Sequence, residues 1–395
     1  MLVVTAMLLI GLLAGIAGTQ VGNLRLGGVV VVPLISVYLL RSFGTFPVFV
    51  LSTAAAYVSL YLIKRRLLLY GRPLFVTSVL IGALIPVLVF EVLAVAVGLS
   101  EQLSAVEFFG SVLPGIAAYN YHRMDSERRV LDMIWSLTVV LFLTVVGIGL
   151  VIVVGLTPLA DVLPPVLLGP QSDIAAGFGL TVDRPPVPTV ASSGVTVAVF
   201  AFGMALSELF RSRYGLRIAG VVVVPLVVLA AVRNQWMLPL WCLTAGAAYV
   251  GIRVTHWWTL LYGRVLLSLG VILGLLTTVS LTTVVPVRTG LLPFFVGILG
   301  GVTGYNYHVV PPAERRATVL VTGTVFVIVA AVVRIVVTPP ATGLLSTVRE
   351  WHYALGVALA VPGLWELVRL ERIRPGGSDE RGPASSPGQQ DGETI

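Results

Sequence analysis

The chain has 395 residues, of which 57% are hydrophobic and only 11% are charged, and its mean hydropathy is +0.99. Because water-soluble proteins carry roughly 25% charged residues, this composition excludes a soluble globular protein. The formal net charge is +7, but the basic residues occur in short clusters between long apolar runs rather than in one dense stripe. We therefore expect no nucleic-acid partner. The single cysteine excludes an intrachain disulfide.

Long apolar runs recur along the whole chain. A bilayer core of about 30 Å requires about 20 apolar residues in a helix, because no water is present there to satisfy backbone groups. Nine runs are long enough, at residues 2–22, 44–63, 74–99, 131–154, 190–209, 236–252, 265–286, 317–338 and 352–368. Four shorter runs contain Gly and often Pro, at 27–40, 105–118, 218–232 and 290–304. Each shorter run is either a short span or a re-entrant half-helix, and the chain as a whole is predicted to be an all-α, multi-pass protein of the cell membrane.

Three sequence blocks occur twice and in the same order. The first is Leu-Arg-Leu-Gly-Gly-Val-Val-Val-Val-Pro-Leu at 24–34 and Leu-Arg-Ile-Ala-Gly-Val-Val-Val-Val-Pro-Leu at 216–226. The second is Leu-Tyr-Gly-Arg at 69–72 and 261–264, and the third is Tyr-Asn-Tyr-His at 119–122 and 305–308. Self-similarity of this kind indicates a tandem duplication.

The duplication divides the chain into five parts. They are a first membrane repeat (1–155), a linker (156–189), a second membrane repeat (190–338), an additional transmembrane helix (339–370) and a tail (371–395). Each repeat is predicted to contain about four to six transmembrane or re-entrant helices. The linker is rich in Pro and Gly and is expected outside the cell. The tail is rich in Gly, Ser, Pro and acidic residues, so we predict that it is cytoplasmic and disordered.

The placement of basic residues predicts the orientation of the repeats. Lys and Arg are retained on the cytoplasmic side of a membrane. If Lys64, Arg65 and Arg66 face the cytoplasm and every apolar run crosses, most of the other arginines fall on the same side, and each repeat crosses six times. The two repeats are then parallel, unlike the inverted repeats of many transporters.

The sequence lacks the usual motifs of catalysis and metal binding. Lys64 is the only lysine, and it is not preceded by the glycines of a phosphate-binding loop. The four histidines, His122, His256, His308 and His352, show no pair at helical spacing, and no Gly-x-Ser-x-Gly motif is present. We therefore expect no catalytic residue, no metal site and no cofactor in this chain.

The duplicated Tyr-Gly-Arg turns are the first candidate binding residues. They are Tyr70, Gly71, Arg72, Tyr262, Gly263 and Arg264. The glycine can adopt a positive φ, and it lies between an amphipathic ring and a fixed cation at the membrane boundary. One interpretation is an interfacial anchor, with tyrosine in the aromatic belt and arginine on the cytoplasmic side. The other is a docking site for an acidic polymer or a soluble partner.

The duplicated Tyr-Asn-Tyr-His blocks are the second candidate. In the first repeat the block ends a short segment with Pro114-Gly115, which suggests a broken helix that lines a polar space. Asn120 and Asn306 are expected either to bind an amide-rich ligand or to form interhelical hydrogen bonds. The histidines of the blocks, His122 and His308, are either interfacial side chains or proton relays.

Three carboxylates in or beside apolar runs are also functional candidates: Glu91, Glu107 and Glu208.

The order of these blocks resembles the CapC/PgsC family, the membrane subunits of poly-gamma-glutamate synthases. The resemblance covers nearly all of each repeat. It is carried by the block that contains Gly28 and Pro33, with its copy at Gly220 and Pro225, by Leu-Tyr-Gly-Arg, and by Leu-Pro-Gly-Ile-Ala-Ala-Tyr-Asn at 113–120. The chain departs from the family in two places. Leu34 and Leu226 follow the prolines, where the family usually has Gly, and the second repeat has Leu-Gly-Gly at 299–301 in place of Leu-Pro-Gly.

The resemblance implies that the chain corresponds to two such subunits fused. It further implies a partner, a soluble CapB/PgsB-like amide ligase that uses ATP, and a role in the synthesis or translocation of an anionic capsule polymer. The rival interpretation is a secondary transporter or a flippase for a lipid-linked precursor, since these proteins also use internal repeats and interrupted spans. A purely structural membrane scaffold is a third interpretation.

Overall fold

The computed structural model describes residues 1–97, 111–157, 166–168, 172–181, 191–285 and 290–373. Glu107, most of the linker and the predicted disordered tail after residue 373 lie outside this part, as does the side chain of Glu91. Within it the chain is helical, without a β-strand. This confirms the predicted all-α fold.

The first repeat contains six described helices. They are α1 (Leu2–Gly22), α2 (Val31–Arg41), α3 (Thr45–Leu67), α4 (Gly71–Val97), α5 (Leu113–His122) and α6 (Ser126–Gly155). The linker contributes the short helix α7 (Asp173–Gly177). The second repeat consists of α8 (Ser193–Tyr214), α9 (Val223–Arg233), α10 (Met237–Thr259), α11 (Gly263–Thr282), α12 (Leu292–Val309) and α13 (Pro312–Val336), and α14 (Glu350–Ile373) follows it.

The helix lengths separate full crossings from short ones. Among the described residues, nine helices are long and apolar enough to span a membrane, and each coincides with one of the nine predicted runs. The chain is therefore a multi-pass membrane protein embedded in the bilayer. With 11 residues each, α2 and α9 extend about 16 Å, which is half of a bilayer core. The run at 290–304 belongs to the continuous 18-residue helix α12 rather than to a half-helix.

The short helices α2 and α9 depend on the first repeated block. Gly28 and Gly220 precede them with φ values of +134° and +147°, a conformation that side chains rarely adopt. The proline ring of the block, Pro33 or Pro225, then packs against a glycine of the first helix of the repeat. A Cβ atom added to Gly11 would lie 2.6 Å from Pro33, and one added to Gly203 would lie 2.7 Å from Pro225. The block therefore allows the chain to enter the bundle through a tight bend.

The two repeats exchange contacts through their first and fourth helices. Helix α1 packs against α11 of the second repeat, and α8 packs against α4 of the first. The Thr282 hydroxyl at the end of α11 lies 3.6 Å from the Met1 sulfur at the start of α1. These two helices are therefore antiparallel, whereas inverted repeats would make them run in the same direction. The geometry agrees with two parallel repeats related by a two-fold axis along the membrane normal.

Segments between the helices cover the end of the bundle that is opposite the Lys64–Arg66 cluster. In the first repeat, the Phe43 amide at the α2–α3 turn donates to the Asp173 carboxylate of the linker at 2.8 Å. In the second repeat, the Leu344 amide donates to the Ala231 carbonyl of α9 at 2.8 Å. Helix α14 has no counterpart in the first repeat, and it packs along α13.

Close glycine contacts hold the helices of each repeat together. A Cβ on Gly115 of α5 would lie 2.2 Å from the Ser78 carbonyl oxygen of α4. A Cβ on the equivalent residue of the second repeat, Gly301 of α12, would lie 2.4 Å from the Gly270 carbonyl oxygen of α11. Lipid tails provide no hydrophobic driving force between helices, so stability depends on such close backbone packing.

We expect Gly301→Ala to lower the free energy of unfolding by about 1–3 kcal/mol, because the added methyl group meets backbone atoms that cannot move away cheaply. Gly246→Ala on α10 is the matched control, since its Cβ would have nothing within 4 Å; it should be neutral or slightly stabilising. Thermal unfolding in detergent measures both. Equal midpoints for the two variants would contradict the packing account.

Candidate functional site

The Tyr-Gly-Arg motifs form two equivalent turns at the same end of the bundle. Gly71 and Gly263 both have φ +63°, and the tyrosine before each is largely exposed. In the first turn the Lys64 ammonium lies 5.4 Å from the centre of the Tyr70 ring. In the second turn His256 occupies the position of Lys64, and its ring is 4.7 Å from that of Tyr262. Both turns thus place a tyrosine beside a basic side chain at the membrane boundary.

The arginine of the first turn reaches across to the second repeat. Arg72 Nε donates to Glu208 Oε2 of α8 at 3.1 Å, and Arg211 Nη1 donates to Glu208 Oε1 at 3.3 Å. The side chains of Arg72 and Glu208 remain 30% and 24% exposed, so the pair contributes no more than about 1 kcal/mol. Glu208 is therefore not an isolated membrane carboxylate; it holds two arginines together where α4 meets α8.

The arginine of the second turn lies in a different environment, where α11 meets α1. The charges near it include those of Arg25, just after α1, and Arg123, just after α5. Burial lowers the pKa of Arg25, and the charges of Arg264 and Arg123 lower it further, while Asp132 acts in the opposite direction. Within the described residues none of these three arginines forms an ion pair, and Arg25 Nη1 is buried without a partner.

Asp132 on α6 orders the loop that leads into α2. Its carboxylate is fully buried and accepts hydrogen bonds from the backbone amides of Arg25, Leu26 and Gly27 at 2.6, 2.8 and 3.1 Å. The second repeat has Thr318 at the equivalent position, and there the Ala219 amide donates to the Thr322 hydroxyl at 3.2 Å. The sequence analysis missed Asp132, although an acidic residue at the start of an apolar run was a visible signal.

The repeated asparagines stabilise the same loops. Asn120 Nδ2 donates to the Gly27 carbonyl at 3.1 Å, and Asn306 Nδ2 donates to the Ala219 carbonyl at 2.7 Å. Each bond joins a helix to the loop before the short helix of its repeat, so the acceptor is a loop carbonyl and not a group of another helix. In both repeats the third block thus holds the first block in place, which explains why the two blocks are duplicated together.

The histidines of the third block contact the third helix of each repeat. His122 stacks on Tyr57 with ring centres 4.1 Å apart, and its Nε2 lies 2.8 Å from the Tyr57 carbonyl oxygen. In the second repeat His308 lies 4.9 Å from His256 of α10, a pair that sequence spacing did not predict. Within the described residues, no three His, Cys, Asp or Glu side chains are close enough to hold a metal ion.

A pair of equivalent arginines ties the third block to the same helices. Arg129 Nη1 donates to the Tyr57 hydroxyl at 2.6 Å, and Arg315 Nη1 donates to the Tyr249 hydroxyl at 3.1 Å. Arg129 and Arg315 also donate to backbone carbonyls at the ends of α5 and α12. These two arginines therefore stabilise the bundle and are engaged within it.

Among the described residues, Pro114 and Gly115 face a neighbouring helix rather than a polar space. Both residues are buried in the contact of α5 with α4, and the Ser78 hydroxyl donates to the Gly115 carbonyl. Proline at the start of α5 costs no hydrogen bond, because the first amides of a helix have no intrahelical acceptor. The Pro-Gly pair thus lies at the start of α5 and packs this helix closely against α4.

Comparison with known proteins agrees with the duplication. The family model for capsule biosynthesis CapC matches the chain twice, at residues 10–130 and 202–316, which together make up more than half of it. The first match contains all three repeated sequence blocks of the first repeat, and the second match contains their three copies in the second repeat. No curated protein and no solved structure matches the chain.

We expect Asp132→Asn to destabilise the protein by about 1.5–3 kcal/mol, because three backbone amides lose a charged acceptor. Thr318→Val is the matched control at the equivalent position, where the buried hydroxyl has no partner for its oxygen. That change should be neutral or mildly stabilising. Thermal unfolding of both variants in the same detergent tests this, and a Thr318→Val loss as large as that of Asp132→Asn would contradict the assigned role.

Proposed function

Because the chain belongs to the capsule biosynthesis CapC family, we propose that it is the membrane subunit that holds a soluble ATP-dependent amide ligase at the membrane while poly-gamma-glutamate is made. Family membership and nine membrane-spanning helices among the described residues make it a multi-pass membrane protein of capsule biosynthesis. The identity of the polymer and of the ligase, a CapB/PgsB-like enzyme, is the further step that we propose.

The observation that carries the proposal is the arrangement of arginines around the contacts between the repeats. Arg72 and Arg264 begin the fourth helix of each repeat. Arg72 bonds to Glu208 of α8, and Arg264 lies near enough to Arg25, just after α1, for its charge to lower the pKa of Arg25. Arginine binds carboxylates well, because its planar guanidinium matches their geometry. A polymer with one carboxylate per residue fits a surface where several fixed cations lie close together.

A division of labour with a soluble ligase follows from the residues that the chain offers. Amide bond formation needs an activated carboxyl group, and the sequence has no phosphate-binding loop that could hold ATP. The resemblance implies a partner that activates the gamma-carboxylate as an acyl phosphate. The membrane subunit then supplies a fixed docking surface and the route along which the product leaves.

Translocation is consistent with the short helices of each repeat. An anionic chain cannot cross hydrocarbon unless its charge is paired or hydrated. The bends before α2 and α9 bring backbone groups into the bundle near the basic end, close in sequence to Arg25 and Arg217. Such interrupted elements are tolerated where protein or water surrounds them. They are the places where a protein-lined path is most easily opened.

Short helices in both repeats also favour the rival function, a transporter or flippase. In transporters, however, broken helices carry polar groups that bind substrate at the middle of the membrane. Here the residues of α2 and α9 are nearly all apolar and buried against the first and last helices of their repeats. Uptake or lipid flipping by liposomes that contain this chain alone would favour the rival function.

We expect the double variant Arg72→Gln, Arg264→Gln to reduce surface polymer severalfold in the native host, since two cations near the contacts between the repeats are lost. The polymer is measured by antibody labelling and by the glutamate content of purified capsule. Arg349→Gln, an exposed arginine at the opposite end of the bundle, is the matched control and should leave the polymer unchanged.

Membrane insertion of each variant is measured by immunoblot of membrane fractions. Unchanged capsule in the double variant at wild-type protein level would contradict the proposed role of these arginines. The partner is tested separately, by purifying the tagged chain from its host and identifying the proteins that accompany it. An ATP-dependent amide ligase among them is the expected result, and its absence under conditions that preserve capsule synthesis would contradict the proposed complex.

A further inference from the structure

Two of the contacts between the repeats are related by the duplication but differ in charge pairing. We call them the α4–α8 junction and the α1–α11 junction. In the α4–α8 junction, Glu208 lies between Arg72 and Arg211 and bonds to both. The duplication places Ile16 of α1 at the position of Glu208 and Thr19 at the position of Arg211. The α1–α11 junction therefore lacks the carboxylate that its counterpart contains.

The α1–α11 junction nevertheless gathers cations. Arg264 begins α11, Arg25 follows α1, and the antiparallel packing of these helices puts both residues at one end. Arg123 follows α5, where its Nη1 donates to the Tyr119 hydroxyl at 3.4 Å, and it lies near enough to Arg25 and Arg264 for its charge to act on both. Asp132 is nearby, but its two oxygens accept the backbone amides of residues 25–27. The three guanidinium groups have no carboxylate of their own among the described residues.

We propose that the α1–α11 junction is a binding site for a carboxylate of an anionic peptide chain, held by Arg25, Arg123 and Arg264, and that Glu208 fills the equivalent site at the α4–α8 junction. The ligand carboxylate takes the place that Glu208 takes in the other junction. The identification of the ligand as a gamma-linked glutamate chain rests on the proposed function. The difference in charge pairing between the two junctions does not depend on the proposed function.

The chemistry of the site favours a carboxylate held by several arginines. Clustered guanidinium groups repel one another, and the partnerless Nη1 of Arg25 leaves a buried donor unsatisfied. An anion between the three side chains relieves both costs. Glu208 demonstrates the geometry within this protein, because its two oxygens each accept one arginine, from α4 and from α8. A carboxylate on a flexible chain can do the same from solution.

The test measures binding of a fluorescently labelled gamma-linked glutamate decamer to the full chain in nanodiscs of zwitterionic lipid. Wild-type protein should bind one decamer per chain. Arg264→Gln should weaken binding by at least about tenfold, because one charge-assisted contact is lost. Ile16→Glu should weaken it similarly without removing a cation, since the new carboxylate occupies the site as Glu208 does. Glu208→Gln should create a second site and raise the stoichiometry towards two.

Arg316→Gln is the control, because this exposed arginine lies outside both junctions, and it should bind like wild type. Undiminished binding by Ile16→Glu, or a single binding site in Glu208→Gln, would contradict the claim that Glu208 fills one junction while the other is open to a ligand. Either result would leave polymer binding and the proposed function intact. No decamer binding by wild type would overturn the site itself. Competition by nanodiscs that contain anionic lipid, or by inorganic phosphate at millimolar concentration, would assign the three arginines to a headgroup or a free phosphate and also overturn the proposal.

Discussion

The antiparallel packing of the first helix of each repeat against the fourth helix of the other determines most of this structure. Since α1 meets α11 and α8 meets α4, the two repeats are parallel and their basic ends lie together. Each Tyr-Gly-Arg turn therefore lies at the boundary between its own repeat and the other repeat. The position of an arginine beside the other repeat is a result of this exchange and not of the local sequence.

Inside each repeat a second constraint operates, the need to satisfy backbone groups where a chain bends within the membrane. Gly28 and Gly220 allow the bend, while Asn120 and Asn306 bond to the carbonyl of the residue before it. In the first repeat the buried carboxylate of Asp132 also receives three amides. The duplicated asparagines thus have hydrogen-bond partners within the bundle, whereas Arg25, Arg123 and Arg264 have no ion-pair partner among the described residues.

The sequence predicted the helices well because a span must be about 20 apolar residues long, and no other element satisfies its backbone in lipid. It also predicted the duplication and the parallel orientation, from block order and from the positive-inside rule. It could not predict that Arg72 would bond to Glu208 or that Arg264 would lie near Arg25, because both arrangements arise from packing between the repeats. Nor did it show that His256 and His308 would lie side by side, since they belong to different helices.

The central claim is that the two repeats face the same way and present their arginine-bearing turns to the cytoplasm. Labelling of single cysteines with a membrane-impermeant maleimide tests it directly, in a background where Cys242 is replaced by serine. Leu67→Cys and Thr259→Cys occupy equivalent positions at the ends of α3 and α10, and Val284→Cys lies after α11 at the opposite end. The account predicts that only the last is labelled in intact cells and that the first two react after lysis. Labelling of one of the first two from outside, with the other protected, would contradict it.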